Sequence, residues 1–223
     1  TRSTTVTGVQ TCALPIYVRF IVLPGIEYSA ILYREIGRSE RYKVHHMHGI
    51  LGTDAMQKKA PDGLLAHMEY VPPLKYFGCW PGAEVAQAMS DLLRGHGCLV
   101  TYNHPIWSRV EDADFASTRG MTAIEIFNYN TVQESSTGYD VTWWDTLLRR
   151  GVRLNAFASD DNHNEGLFDD VFGGWICLQA SELEHDAVIE AFLAGNYYSS
   201  SGPEIYGWGV NYQIGRASCR ERV

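Results

Sequence analysis

Basic residues are scarce in this chain. Lysine and arginine total 18 against 26 aspartates and glutamates, a formal net charge of -8. A nucleic-acid-binding surface needs a basic patch, so stable nucleic-acid binding is not expected; a nucleotide held at a metal site remains compatible. Cysteine is scarce too. Five are scattered along 223 residues with no Cys-x-x-Cys, which argues against a disulfide framework or a structural zinc knuckle. No apolar run is long enough to span a bilayer, so no membrane partner is expected. No Gly-x-Gly-x-x-Gly follows a strand-like run and no Walker-type loop is present, which weakens a nucleotide-binding sheet. These absences fit a cytoplasmic protein best, although a signal peptide lost with the natural N-terminus would change that.

The two ends read differently from the rest. Residues 6–16 and 214–223 match translated short-read sequencing adapter. Codons GCT CTT CCG ATC encode Ala13 to Ile16, and their reverse complement, read from ATC, gives Ile-Gly-Arg, as at 214–216. Residues 1–16 and 214–223 are therefore taken as adapter-derived and set aside, as a fusion scar would be. Residues 17–213 are expected to be natural, a piece open at both ends. The set-aside ends carry +1 and +2, so this remainder carries -11. Cys12 and Cys219 leave with the ends, and Cys79, Cys98 and Cys177 remain. About two hundred residues can bury one sizeable core, so one domain is expected.

Along that domain, Val18–Leu23 reads as a strand ending at Pro24-Gly25, and residues 31–41 read as a loop. Tyr42–Gly52 reads as a strand, and 55–80 as an irregular excursion with at most one short helix. Pro81 to Arg94 reads as a helix stopped by Gly95, with Val85, Met89, Leu92 and Leu93 as its apolar stripe. Strands follow at 98–102 and 121–127, a helix at 138–150, and strands at 152–158 and 174–178. Ser181-Glu182-Leu183-Glu184 reads as a capping box opening a helix to about Leu193. Strands alternating with helices imply parallel strands and crossover helices, in a barrel or a doubly wound sheet.

Metal-ligand types gather at the expected strand ends. Glu27 follows the Pro-Gly break. Asn103-His104-Pro105 ends the strand at 98–102, and Asp160-Asp161-Asn162-His163 ends the strand at 152–158. An Asp-x-His pair sets a hard oxygen and an imidazole two residues apart, which suits a divalent cation. Within Tyr42–Gly52, alternation puts His46 and His48 on one face and His45 on the other. Either His46 or His48 can then be the ligand. A polar turn at 160–164 and a solvated Glu27 are the plain alternatives. Tyr102, Trp107 and Arg109 lie near His104 in sequence and are candidates for substrate contact or for packing.

Pro24-Gly25-Ile26-Glu27, the His46/His48 strand, Asn103-His104-Pro105 and Asp160-Asp161-Asn162-His163 together resemble the PHP (polymerase and histidinol phosphatase) metal-dependent hydrolases, over nearly all of residues 17–213. The resemblance implies a distorted seven-stranded β/α barrel with two or three divalent metal ions (manganese, zinc or iron). It implies that Glu27 bridges two metals, that His46 (or His48) and His104 serve the second, and that Asp161 and His163 serve the others, with Asp160 adjacent. It implies a phosphoesterase using metal-activated water on a small-molecule or nucleotide phosphate ester. Hydrolysis of a C–N or carbamate bond, an amidohydrolase-type barrel, and a degenerate barrel that only binds are the other readings. The family also has an early His-x-His, an Asp and a further His upstream of the glutamate, which residues 17–23 lack. On that ground the barrel is expected to be incomplete, and this chain poorly soluble and nearly inactive.

Overall fold

The computed structural model describes residues 20–35, 40–65, 71–163 and 170–207, and the backbone alone of residues 9–10, 208–211 and 216–221. In chain order its elements are β1 (Val9–Gln10), β2 (Gly25–Tyr33), β3 (Arg41–Leu51), α1 (Asp54–Lys58), β4 (Leu74–Phe77), α2 (Gly82–Gly95), β5 (Cys98–Tyr102), α3 (Asp112–Phe115), β6 (Met121–Asn128), α4 (Tyr129–Ser135), α5 (Val141–Arg149), β7 (Asn155–Ser159), β8 (Trp175–Leu178), α6 (His185–Leu193), β9 (Tyr197–Ser200), β10 (Ile205–Asn211) and β11 (Arg216–Glu221).

The protein is α/β. Its main sheet is mixed and six-stranded, ordered β4-β2-β3-β5-β6-β7. β3 runs antiparallel to both neighbours, and the other pairs are parallel. β8 and β9 form a second ladder with β1. It lies beside β7, where Ser199 Oγ donates to Ala156 O at 2.9 Å. β10 pairs with β11. Parts of both set-aside ends are thus in strands, as β1 and β11. No described helix is long and apolar enough to cross a membrane. Cys98 and Cys177 are buried and Cys79 is exposed, all as free thiols.

Several sequence expectations shift. The described part of Val18–Leu23 is not a strand: residues 20–24 carry a single bridge at Leu23, and the strand begins after the proline. Pro24 lacks an N–H for a ladder, so pairing starts at Gly25. Glu27 is therefore the third residue of β2, near its start, and residues 31–33 are strand rather than loop. α2 buries Val85, Ala86, Met89 and Leu93, whereas Leu92 is exposed. Gly95 is still helical, and the left-handed stop falls at Gly97, φ 80°. α4 lies where no helix was expected. Asn128 Oδ1 caps it by accepting from Thr131 N at 2.9 Å, which starts a helix that its Asn, Thr and Ser content disfavours. α5 begins at Val141 rather than at 138, and β7 at Asn155 rather than at 152. Ser181–Glu184 is a run of bends, and α6 starts at His185 without a side-chain cap. The capping box that forms is Glu111 with Asp114, at α3. Residues 55–80 hold the short β4 besides α1's last turns.

Two cores cover the two faces of the main sheet. Met47, Val100, Tyr102 and Ile124 pack with Val85, Met89 and Leu93 of α2, Phe115 of α3 and Leu147 of α5. On the opposite face Ile50, Leu99, Ala123 and Phe157 pack with Ile176 and Leu178 of β8 and Val188, Ile189 and Phe192 of α6. That second face is apolar only in part. Two residues along each strand the same-face positions turn polar: His48 and His46 after Ile50, Thr101 after Leu99, Glu125 after Ala123, Ser159 after Phe157.

His45 points into the first core, as alternation requires. Its Nε2 lies 2.9 Å from Gly82 O and its Nδ1 2.6 Å from Tyr102 Oη. The carbonyl can only accept, so Nε2 carries the proton and Nδ1 accepts from the tyrosine. Burial lowers His45 to about 4, so the ring stays neutral. Removing the hydroxyl strands a buried nitrogen. Tyr102→Phe is expected to cost about 1–3 kcal/mol in urea unfolding, and a change within 0.3 kcal/mol of zero, on the order of typical error, would contradict the bond.

Candidate metal centre

The polar half of the second face carries the site. Glu27 comes from β2, His46 from β3, His104 from the residue pair after β5, and Asp161 from the pair after β7. His46 Nδ1 lies 3.3 Å from His104 Nε2 and 3.5 Å from Glu27 Oε1, and His104 Nε2 lies 3.4 Å from Glu27 Oε1. These three atoms make a nearly equilateral triangle. Bonds of about 2.0–2.2 Å at tetrahedral angles separate ligand atoms by about 3.3–3.6 Å. The triangle therefore matches one face of a tetrahedral metal site, and Glu27, His46 and His104 could together hold a divalent cation. Asp161 Oδ2 stands 3.9 Å from His104 Nε2, beside the triangle.

Glu27 and His104 are held from behind. Asn103 Nδ2 donates to Glu27 Oε1 at 2.8 Å, Thr101 Oγ1 donates to Asn103 Oδ1 at 3.1 Å, and His48 Nδ1 lies 3.2 Å from that hydroxyl. His48 is thus on the site's face, as alternation required, but stands at the far end of a hydrogen-bond chain to Glu27. His46 is the imidazole at the triangle. His104 is fixed two ways: its Nδ1 is 3.2 Å from Ser108 Oγ and its backbone N donates to Glu125 Oε2 at 2.9 Å. Trp107 packs its ring against both imidazoles, with centroids 5.6 Å from His46 and 5.0 Å from His104.

Glu125 is fully buried beneath the site. Besides His104 N it accepts from Asn128 Nδ2 at 3.1 Å and from Ser159 Oγ, so one carboxylate ties the ends of β5, β6 and β7. Asn128 Nδ2 also donates to Asp161 Oδ2 at 3.1 Å. Neither Glu125 nor Asn128 was expected. The available signal was a carboxylate between Ile124 and Ile126 in an apolar strand, a position that burial makes costly unless it is partnered.

Asp160 and His163 depart from a ligand arrangement. Asp160 accepts from Phe172 N, Gly173 N and Gly174 N, each at 2.8 Å, and so anchors the return to β8. His163 lines the cavity rim, exposed, with Nδ1 2.8 Å from Asp161 O and 3.9 Å from Asp161 Oδ1. Tyr102 faces the other core and cannot touch a ligand here. Asn164 lies outside the described residues.

Charge around the triangle is shared unequally. Burial alone would raise Glu27, but His46, His104 and His48 outweigh it and hold the carboxyl well below the usual range. Burial opposes charge on His104, yet Glu27, Glu125 and Asp161 push it up to about 10. Burial takes His46 down to about 4, with Glu27 opposing and the charged His104 adding to the fall. The His104 Nε2 proton then lies between Glu27 and a neutral His46, the place a cation would take. Burial and the nearby Glu27 raise Asp161 to about 6.

The cavity over these groups holds about 330 Å³ and is lined by Glu27, His46, His104, Asp161, Trp107 and Arg41, among others. No family model, curated protein or solved structure matches the chain.

A cation must displace the His104 proton, so zinc affinity is expected to rise by up to about tenfold per pH unit through the neutral range. Calorimetric titration in buffers of different ionisation enthalpy should show proton release near pH 7; a pH-independent affinity would contradict the assignment. Asn103→Ala is expected to weaken zinc about 10–100-fold by releasing Glu27, read in the same titration.

Proposed function

We propose that this protein is a metal-dependent hydrolase that cleaves phosphate esters, on a distorted seven-stranded β/α barrel of the PHP type. The observation that carries the reading is the Glu27–His46–His104 triangle, whose edges of 3.3–3.5 Å suit zinc or a similar transition ion. Magnesium and calcium prefer all-oxygen ligands, which two imidazoles do not supply. The resemblance noted in the sequence agrees, because the same residues carry it.

Glu27, His46 and His104 would hold the cation, with Asp161 next in reach. With a divalent ion held there, these residues would have at hand a water of lowered pKa and a Lewis acid for a phosphoryl oxygen. The chain supplies the rest. Asn103 holds Glu27 Oε1, and Ser108 with Glu125 holds His104, so the donors keep their spacing without reorganisation. Trp107 screens one side of both imidazoles from water. Asp161 Oδ2, 3.9 Å from His104 Nε2, is placed to accept a proton on its carboxylate and return it to a leaving oxygen. His163 stands at the rim, its Nδ1 2.8 Å from Asp161 O. Arg41 lines the cavity among Glu27, Glu134, Asp161 and Asp170 and supplies the fixed positive charge for an oxyanion.

The test is hydrolysis of para-nitrophenyl phosphate with zinc or manganese, by this chain and by its natural gene product. Metal-dependent turnover is expected in the latter. Glu27→Gln should lower it by more than about a hundredfold, beyond the range for a residue behind the ligands. Turnover unaffected by Glu27→Gln would sink the proposal. Cleavage of amides or carbamates with phosphate esters untouched would transfer it to C–N hydrolysis, and metal binding with no turnover to a binding module.

A further inference from the structure

A second chamber of about 260 Å³ adjoins the cavity over the triangle. Arg41, Trp107 and Glu134 line both, so the two spaces share a wall. Their charge differs. The first is lined by Glu27, Glu134, Asp161 and Asp170 against Arg41. The second is lined by Arg41 and Arg109, by Ser135 and Thr137, whose hydroxyls lie 2.8 Å apart, by Tyr42, by Ser108, whose hydroxyl is taken up by His104 Nδ1, and by Glu134 as its one carboxylate. That carboxylate is engaged, accepting from Trp107 Nε1 at 3.0 Å. Two arginines and the Ser135–Thr137 hydroxyl pair thus meet on a chain whose net charge is -8.

The same short loop builds both chambers. It begins at His104, φ 25°, and ends at Arg109, φ 56°, two non-glycine residues with left-handed backbones. Ser108 N donates to His104 O at 3.1 Å, Arg109 N to Ile106 O at 3.0 Å, and Val44 N to Ser108 O at 3.0 Å. Arg109 Nη1 donates to Arg41 O at 3.2 Å, which seats its guanidinium beside the start of β3. Such backbones persist in non-glycine residues where the surroundings impose them. Here they turn an imidazole into one chamber and a guanidinium into the next.

We propose that the second chamber is a binding subsite for an anionic group, a carboxylate or a phosphate, carried by the substrate away from the scissile bond. The proposal rests on the triangle being the reaction centre. Guanidinium groups recognise both oxyanions through paired N–H donors, and hydroxyls supply further donors. The reacting ester would lie over Glu27, His46 and His104, and the second anion beside Arg109 and Thr137, with Trp107 along the span between them.

The test compares phenylphosphonate with para-carboxyphenylphosphonate and para-phenylenebisphosphonate, by calorimetry, on the zinc-loaded chain. At least one doubly anionic probe is expected to bind about tenfold more tightly than phenylphosphonate; which one does separates a carboxylate site from a phosphate site. Arg109→Asn should abolish that advantage while leaving phenylphosphonate and zinc binding unchanged, since asparagine tolerates the left-handed backbone. Equal affinities for all three probes, or an advantage that survives Arg109→Asn, would overturn the subsite. A metal-free arm separates the two proposals. Bisphosphonate binding that depends on Arg109 but gains nothing from zinc would sink the metal-centre reading and leave the anion subsite standing.

Discussion

Burying ionisable groups on one face of a sheet is the constraint on which the rest depends. Glu27, His46, His104 and Glu125 leave water together, and none could do so alone at tolerable cost. Glu125 shows the cost most plainly. Burial raises it to about 8 even though His104, Ser159 and Asn128 favour its charge. The structure meets the demand by closing every partner locally. Asn128 is used completely: its oxygen caps α4, and its amide nitrogen reaches Glu125 and Asp161. The strand ends are tied to one another by the same bonds that neutralise the site.

That coupling explains why the strained residues are where they are. His104 and Asp161 have φ of 25° and 52°, and both sit two residues past a strand end. Continuing in β geometry would carry their side chains away from β2 and β3. A left-handed turn instead brings an imidazole from β5 and a carboxylate from β7 over residues of β2 and β3. The apolar floor of Ile50, Leu99, Ala123 and Phe157 below keeps the sheet rigid enough to hold distances of 3.3–3.5 Å.

How much of this the sequence discloses depends on the range of the interaction. Alternation in a strand is local, and it places His45 on one face and His46 and His48 on the other without further information. His104 is a different case: the proline after it favours an extended backbone, yet the residue is left-handed, φ 25°, and is held there by Glu125 and Ser108, which the local sequence does not disclose. Choosing His46 over His48 needs the register of β2 against β3, which pairs Glu27 with His48 and leaves His46 to reach up to His104. Glu27 itself was found for the wrong reason: the Pro-Gly break begins its strand rather than ending one. Glu125 and Asn128 are invisible at short range, because a buried carboxylate is tolerable only through partners from two other strands. Asp160 misleads for the opposite reason. It adjoins the Asp161–His163 pair in sequence, yet its carboxylate is consumed by three backbone N–H groups across the loop.

The central claim is that Glu27, His46 and His104 form one metal-binding triangle. X-ray absorption spectroscopy at the zinc edge, on chain loaded with one equivalent of zinc, tests it most directly. The account predicts a tetrahedral first shell of nitrogen and oxygen at about 2.0–2.2 Å, with the multiple-scattering signature of two imidazoles. One imidazole should be lost in His46→Ala, and none in His48→Ala. A shell without imidazole, or one that loses a histidine with His48 rather than His46, would contradict it.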